Sequence, residues 1–387
     1  MNNFVYSIST KVYFGKDEEL KIGKLIKEYH AHKVLIHFGS NRIKKTGLLG
    51  RVEKALKQEK IKYVELGGVT ANPMLSFVRK GIALCQKEKV DFVLAIGGGS
   101  VLDSTKAIAI GVANPKVDVW KFSCGKATPK ASLPKAAILT ISAAGSEMSD
   151  SAVITNEITK EKRGFNSPFN RMNFSIENPD LTLSVSPYQT ACGAVDIAMH
   201  TMERYFSVGK HTEITDALAL ALIKATNELG LKCIKNPNDY EARANMMWAS
   251  SLAHNGLTGF GRNVVFVVHP FEHQVSGLYP EVAHGAGLAA LWASWARYVY
   301  KYNLKRWQLF AKTVWDTTDV LKAIKKQEDY YHKIGMPISL KELKVKKNDL
   351  VKMALRLSNN KTSYLEGVKR LKYEDMLKIY QMAWDAH

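Results

Sequence analysis

The stretch AIGGGSVLDSTKAIAIG, residues 95–111, decides how this chain is read. An apolar, strand-length run, DFVLAI (91–96), ends in Gly97, Gly98 and Gly99, passes Ser100, and enters a segment with helical spacing from Val101 to Ala113. Glycines at such a point let backbone approach a ligand closely, and the unpaired N–H groups at the positive end of the helix favour a phosphate. A plain strand-to-helix turn that needs positive φ accounts for the same residues equally well, because the run is neither GxGxxG nor GxxxxGK[ST].

The same alternation recurs on either side. VLIHF (34–38), KYVEL (62–66), AAILTI (136–141) and MNFSI (172–176) are strand-length, while Ile43 to Leu56 and Leu75 to Cys85 carry apolar residues at helical intervals. Strands alternating with helices predict a parallel sheet covered on both faces. Beyond about residue 186 the strand signals stop. Ile214, Ala217, Leu218, Ala221 and Leu222 predict a helix that ends at Gly230, and Val320, Leu321 and Ile324 predict another with Gly335 and Pro337 past its end. The Asn, Pro and Ser punctuation of ENPDLTLSVSP sets the expected boundary, with an α/β nucleotide-binding domain over residues 1–185 and an all-α domain over 186–387.

A length of 387 residues suits two domains at about 150 residues each. With 46% hydrophobic and 24% charged residues the chain is neither disordered nor fibrous. The excess of 55 basic over 36 acidic residues gives a net charge of +19, yet the basic residues fall in scattered pairs such as Lys44 and Lys45 or Lys325 and Lys326. Nucleic acid is therefore not the expected partner. No apolar run approaches 18 residues and MNNFVYSISTKVYF lacks a basic region followed by an apolar one, so no membrane partner is expected and the cytoplasm is the expected location. Cys85, Cys124, Cys192 and Cys233 are too far apart for a thiolate metal site and read as free thiols.

Two further patterns carry chemistry. After the strand VLIHF, Gly39, Ser40 and Asn41 offer a second loop for a phosphate, although a plain turn is at least as good an account. No acidic residue stands at that strand end, while Arg42, Lys44 and Lys45 follow it, and basic residues there suit the 2′-phosphate of NADP. In CGAVDIAMHTMERYF (192–206), Asp196 and His200 lie four residues apart on one helix face, a pair that taken alone is usually solvated or capped. VVHPFEHQVSGLYPEVAHGAGLAAL (267–291) changes the balance, because His269, His273 and His284 fall together in apolar, Gly-rich sequence. Nitrogen and oxygen donors without thiolates suit Fe²⁺ or Zn²⁺ in a catalytic site. Phe271, Leu278 and Trp292 nearby read as core before they read as pocket walls.

Together GGGSVLDSTKAIA (97–109), AAGSE (143–147), Asn72 with Pro73, and the two histidine blocks resemble the iron-containing, or group III, alcohol dehydrogenases, nearest their butanol dehydrogenase and broad aldehyde reductase branch. The resemblance spans nearly the whole chain. It implies a Rossmann-like nucleotide domain and a helical metal-binding domain, the dehydroquinate synthase-like two-domain fold, in a homodimer that interconverts small aldehydes and alcohols. It assigns the metal ligands to Asp196, His200, His269 and His284 and cofactor contacts to Gly98, Gly99, Ser100, Asp103, Thr140 and Lys162; His273, four residues after the third ligand and within reach of the metal on a regular helix, is the expected proton relay. Two departures stand out: His284 follows His273 by eleven positions, one more than the family pattern, and Ala144 replaces a threonine beside the cofactor. The rival readings are a metal-dependent lyase of the dehydroquinate synthase sort and a basic nucleic-acid-binding protein. The lyase needs cations for a carboxylate and phosphate substrate, and residues 265–295 contain no Arg or Lys.

Overall fold

A computed structural model describes residues 1–385. Ser7–Val185 form one compact unit; Met1–Tyr6 join the residues from Ser186 onward in a second. The first six residues thus depart from the boundary expected at 185. Asn2 donates its backbone N–H to Gly261 O at 2.9 Å, and Phe4 stacks on Phe260 with ring centroids 5.0 Å apart.

The first unit holds a six-stranded parallel sheet in the order β1-β8-β5-β4-β2-β3, with β1 Lys11–Phe14, β2 Lys33–Phe38, β3 Lys62–Gly67, β4 Phe92–Gly97, β5 Lys135–Leu139 and β8 Phe174–Glu177. The remaining strands, β6 Ser151–Asn156 and β7 Glu161–Asn166, pair as an antiparallel hairpin. Its helices are α1 Ile22–Lys27, α2 Arg42–Lys45, α3 Leu48–Gln58, α4 Leu75–Glu88, α5 Gly99–Ala113 and α6 Trp120–Ser123. The period of two along each strand sorts side chains to two faces. Val34, Ile36, Phe92, Leu94 and Ile96 pack with α1 and α3, whereas Leu35 and Val93 pack with α4 and α5. From β2 the chain steps to β3 on one side and then returns to β4 on the other. The sheet therefore changes direction between β2 and β4, and the crevice outside the carboxyl ends of such strands is where open α/β sheets take ligands.

One strand residue breaks the apolar rule. His37 is fully buried; its Nδ1 meets Leu66 O at 2.9 Å and its Nε2 meets Ser104 Oγ at 2.8 Å, which ties β2 and β3 to α5. A neutral imidazole satisfies both contacts, and burial lowers its pKa to about 4. In the unfolded chain it titrates near 6.5, so this contribution is present above pH 6.5 and is lost as pH falls through 4, about 3 kcal/mol in all. Urea unfolding at pH 6.5 and 4 checks it: His37→Gln should lose about 3 kcal/mol less stability over that interval than the parent. An equal loss in both proteins would assign the acid sensitivity elsewhere.

The second unit is helical: α7 Pro187–Tyr205, α8 Glu213–Lys235, α9 Tyr240–His254, α10 Val268–Leu278, α11 His284–Val299, α12 Leu304–Trp315, α13 Val320–Lys333, α14 Asp349–Leu357 and α15 Tyr373–Asp385. Gly230 does not end its helix, contrary to expectation; α8 continues to Lys235. A Cβ at Gly230 would lie 2.4 Å from Tyr330 Oη and 2.8 Å from Ala194 Cβ, so this glycine serves close packing and not termination. Phe271 and Trp292 are buried in the core, Phe271 against Tyr380 and Trp292 among Trp307, Phe310 and Tyr331. Among the described residues no helix is long and apolar enough to cross a membrane, and the four cysteines are free.

Candidate metal centre and nucleotide turn

Helix α7 starts where Ser186 accepts a hydrogen bond from Gln189 N and Pro187 occupies the first turn, a strong start signal. Its buried face then carries Asp196, His200 and Glu203. Helix α10 begins at Val268, with Pro270 in the first turn, where the missing N–H costs no helical bond. It brings in His269, and α11 brings in His284 as its first residue. Tyr279–Ala283 form a connection outside α10 and α11 that leads directly into His284.

Ligand atoms of Asp196, His200 and His269 all lie within 4.8 Å of one another. His284 joins them: its Nε2 stands 3.9 Å from Asp196 Oδ1, and His269 Nε2 stands 3.7 Å from the same oxygen. These separations exceed a hydrogen bond and suit donors that share an ion at about 2.1 Å. Asp196 Oδ1 and His269 Nε2 are buried without a hydrogen-bond partner among the described residues. His200 Nδ1 approaches Asp196 Oδ1 at 3.0 Å, but the backbone carbonyl of Asp196, at 2.9 Å, takes its hydrogen bond. Orphaned polar atoms of this kind are costly unless something absent from the chain satisfies them, and a divalent cation fits this donor set.

The electrostatics agree. Burial alone would raise the Asp196 carboxyl, yet the imidazoles of His200, His269 and His284 hold it well below the usual carboxylate range. Burial lowers His200. It also works against charge on His269, where Glu203 and Asp196 prevail and lift the pKa to about 9.

His273 lies on α10, half-buried, with its ring 6.5 Å from that of His269 and 5.8 Å from that of His284. Three residues around the site were not singled out from sequence. Glu203 meets His269 Nδ1, Glu272 meets His284 Nδ1, and the His254 ring lies 4.1 Å from that of His200 while its Nδ1 contacts Arg204. Glu203 and Glu272 each follow a proposed ligand by three residues on the same helix, a spacing that the sequence does display.

In the α/β unit, Gly39, Ser40 and Asn41 follow β2, and Gly98 to Ser100 follow β4, which ends at Gly97, so the two turns flank the reversal in strand order. None of Gly97, Gly98 and Gly99 has positive φ, which corrects the turn-conformation account. Gly98 is required by proximity instead: a Cβ there would lie 2.3 Å from Ile141 Cγ2. Thr140 N donates to Gly97 O at 3.2 Å, at the end of β5. A Cβ on Gly99 would touch Ala144 Cβ at 3.5 Å, so position 144 does face the turn. The Asp103 carboxylate accepts from Ser146 Oγ at 2.7 Å and from Val153 N at 3.1 Å, tying α5 to β6. Lys162 lies buried on β7. Lys44 pairs with Glu65 at 3.2 Å, Arg42 contacts Ser184 Oγ, and Lys45 is exposed.

A parallel sheet with a glycine turn at its switch point and a helical unit with a buried carboxylate and histidine cluster define a two-unit protein with a candidate nucleotide turn in one unit and a candidate metal centre in the other. Residues 9–179 match the iron-containing alcohol dehydrogenase family model and residues 190–384 match its C-terminal domain; the chain belongs to this family. It is an oxidoreductase of the alcohol dehydrogenase and aldehyde reductase class. It is 38% identical over 392 residues to NADH-dependent butanol dehydrogenase A of Clostridium acetobutylicum, covering 99% of this chain and 100% of that one. It is 32% identical to the NADPH-dependent aldehyde reductase YqhD of Escherichia coli, covering 99% and 100%. The crystal structure of NADH-dependent butanol dehydrogenase A from Thermotoga maritima superposes with a TM-score of 0.95 at 38% identity, covering 100% of this chain and 99% of that chain.

Proposed function

We propose that this protein is a metal-dependent reductase of short- to medium-chain aldehydes, running in reverse as an alcohol dehydrogenase, with NADP(H) preferred over NAD(H). The observation that carries the proposal is the buried pair Asp196 Oδ1 and His269 Nε2, 3.7 Å apart, neither with a hydrogen-bond partner among the described residues, with His200 and His284 beside it. In this reading Asp196, His200, His269 and His284 hold Fe²⁺ or Zn²⁺. When bound, the ion supplies Lewis-acid polarisation of the carbonyl oxygen and the nicotinamide supplies the hydride.

The chain's own residues do the rest. Gly98, Gly99 and Ser100 present the unpaired N–H groups at the start of α5 to the pyrophosphate, with Gly39, Ser40 and Asn41 across the switch point. Asp103 holds α5 against β6, and Thr140 and Lys162 complete the cofactor contacts. The basic residues Arg42, Lys44 and Lys45 after β2 support a 2′-phosphate, and Lys45 is the one most open to it. The relatives divide on this point, since the butanol dehydrogenases are named for NADH and YqhD for NADPH. His273, half-buried and one helical turn from His269, holds the proton that the product oxygen takes up and draws another from solvent. The family resemblance and the scattered charge support a cytoplasmic homodimer that takes a small-molecule substrate and neither nucleic acid nor membrane.

Metal-stripped protein given Fe²⁺ or Zn²⁺ and assayed with butanal tests the proposal. Metal-restored oxidation of NADPH, at least tenfold more efficient than that of NADH, is the expected result. Stoichiometric metal binding with no turnover on a panel of aldehydes and ketones would move the lyase reading to the front.

A further inference from the structure

We propose that Glu203 and Glu272 are positioning residues that fix the tautomer and ring orientation of His269 and His284, so that both rings turn Nε2 toward Asp196. The inference rests on the metal-centre reading above and adds two residues to it. A neutral imidazole has one N–H and one lone pair, and the partner of one nitrogen decides the role of the other. Glu203 and Glu272 are 3% and 0% exposed, and each carboxylate meets the Nδ1 of its histidine. With Nδ1–H donated to a carboxylate, the lone pair is left on Nε2. Those are the atoms 3.7 and 3.9 Å from Asp196 Oδ1. His200 has no such carboxylate behind it; its Nδ1 meets the backbone carbonyl of Asp196 at 2.9 Å. His269 and His284 therefore each have Nδ1 anchored by a carboxylate on the side away from Asp196.

The two carboxylates are built in for this. Glu203 accepts from the backbone N–H groups of Val267, Val268 and His269, the last at 3.3 Å, so one carboxylate sets both the start of α10 and the ring carried on its first turn. Glu272 projects from α10 toward the start of α11, where Gly287 leaves it room; a Cβ at Gly287 would lie 2.8 Å from Glu272 Cγ. Asp196, Glu203 and Glu272 together place three buried carboxylates about the imidazoles, a concentration of acceptors that a dication would partly offset. Ligand histidines with such carboxylate partners hold metal about 10–100-fold more tightly than without them.

Metal-stripped parent and Glu272→Gln protein, titrated with Co²⁺ and Zn²⁺ against a chelator, test this without reference to turnover. Expected are one ion per chain in the parent, a dissociation constant weakened roughly 10–100-fold in Glu272→Gln, a changed Co²⁺ absorption spectrum, and an unchanged melting temperature of the metal-free form. Glu203→Gln should weaken binding likewise and also lower the metal-free melting temperature, because it uncaps α10. Glu272→Gln with parental affinity and spectrum would overturn the positioning role and leave the metal centre standing. A parent that binds two ions, one lost in Glu272→Gln, would overturn it in favour of Glu272 as a ligand with His273 and His284, whose ligand atoms lie within 4.8 Å of one another. Failure of the parent to bind either ion would remove the centre itself.

Discussion

Asp196→Ala lowers metal-restored aldehyde reduction by about three orders of magnitude and leaves the chain folded. Lewis-acid assistance of a carbonyl reaction is worth several kcal/mol, and each 1.4 kcal/mol is a factor of ten, so losing about 4 kcal/mol gives the expected figure. The effect concentrates on Asp196 because its Oδ1 is the atom that His269 Nε2 and His284 Nε2 face, at 3.7 and 3.9 Å, with His200 on the same helix beside it. Removing it deletes the anionic donor and leaves neutral imidazoles that bind a dication more weakly. The metal-free protein should lose some stability, since the imidazoles outweigh the cost of burying Asp196, yet stay folded through the extensive helical core around the site. His269→Ala should have a similar effect on turnover. Bound metal by elemental analysis, turnover, and a melting curve on the same preparations decide the matter. A variant at Asp196 that still holds one equivalent of metal and turns over within tenfold of the parent would place the chemistry elsewhere in the chain.

What the sequence displays and what it conceals divide along physical lines. The runs at 34–38, 91–96 and 136–141 are legible as strands because both faces are largely buried, which makes the sequence itself apolar, whereas 62–66, on the edge strand β3, is half-polar and only partly buried. KVYF, which forms β1, is a four-residue edge strand with exposed ends, and SAVITN and EKRGFN are half-polar; pairing with β8 and with each other makes them strands, and pairing partners are remote in sequence. Gly230 was misleading for a related reason. A glycine that lets Tyr330 and Ala194 approach looks, in one dimension, the same as one that ends a helix. At the metal centre, Asp196, His200, His269 and His284 are visible as residue types that rarely gather in apolar sequence. Glu203 and Glu272 have the right spacing, but a glutamate on a helix is ordinarily solvated. Only the packing of α7, α10 and α11 shows that both are buried and which nitrogen each one meets.

That packing depends on one small residue, and Gly285→Ala should cost about 2–3 kcal/mol of stability and weaken Co²⁺ binding at least tenfold. A Cβ at Gly285 would stand 2.2 Å from the carbonyl oxygen of Cys192 and 2.7 Å from its Cα. Both atoms are backbone of α7, so no rotamer change relieves the clash, and the start of α11 must move away from α7. Gly285 follows His284, and Cys192 lies one helical turn before Asp196, so the two helices are forced apart where their ligands face each other. His284 Nε2 is already 3.9 Å from Asp196 Oδ1, near the limit for two donors at about 2.1 Å from one ion, and further separation breaks the shared site. Gly50→Ala is the control. It sits in α3 with nothing within 4 Å of an added Cβ, and there the substitution should stabilise by about 0.5–1 kcal/mol, because alanine favours the helix and restricts the unfolded chain. Urea unfolding and Co²⁺ titration of the two variants separate backbone contact from helix propensity. If Gly285→Ala bound Co²⁺ with the parental affinity and spectrum, the approach of α11 to α7 would not be what sets the spacing of the ligands.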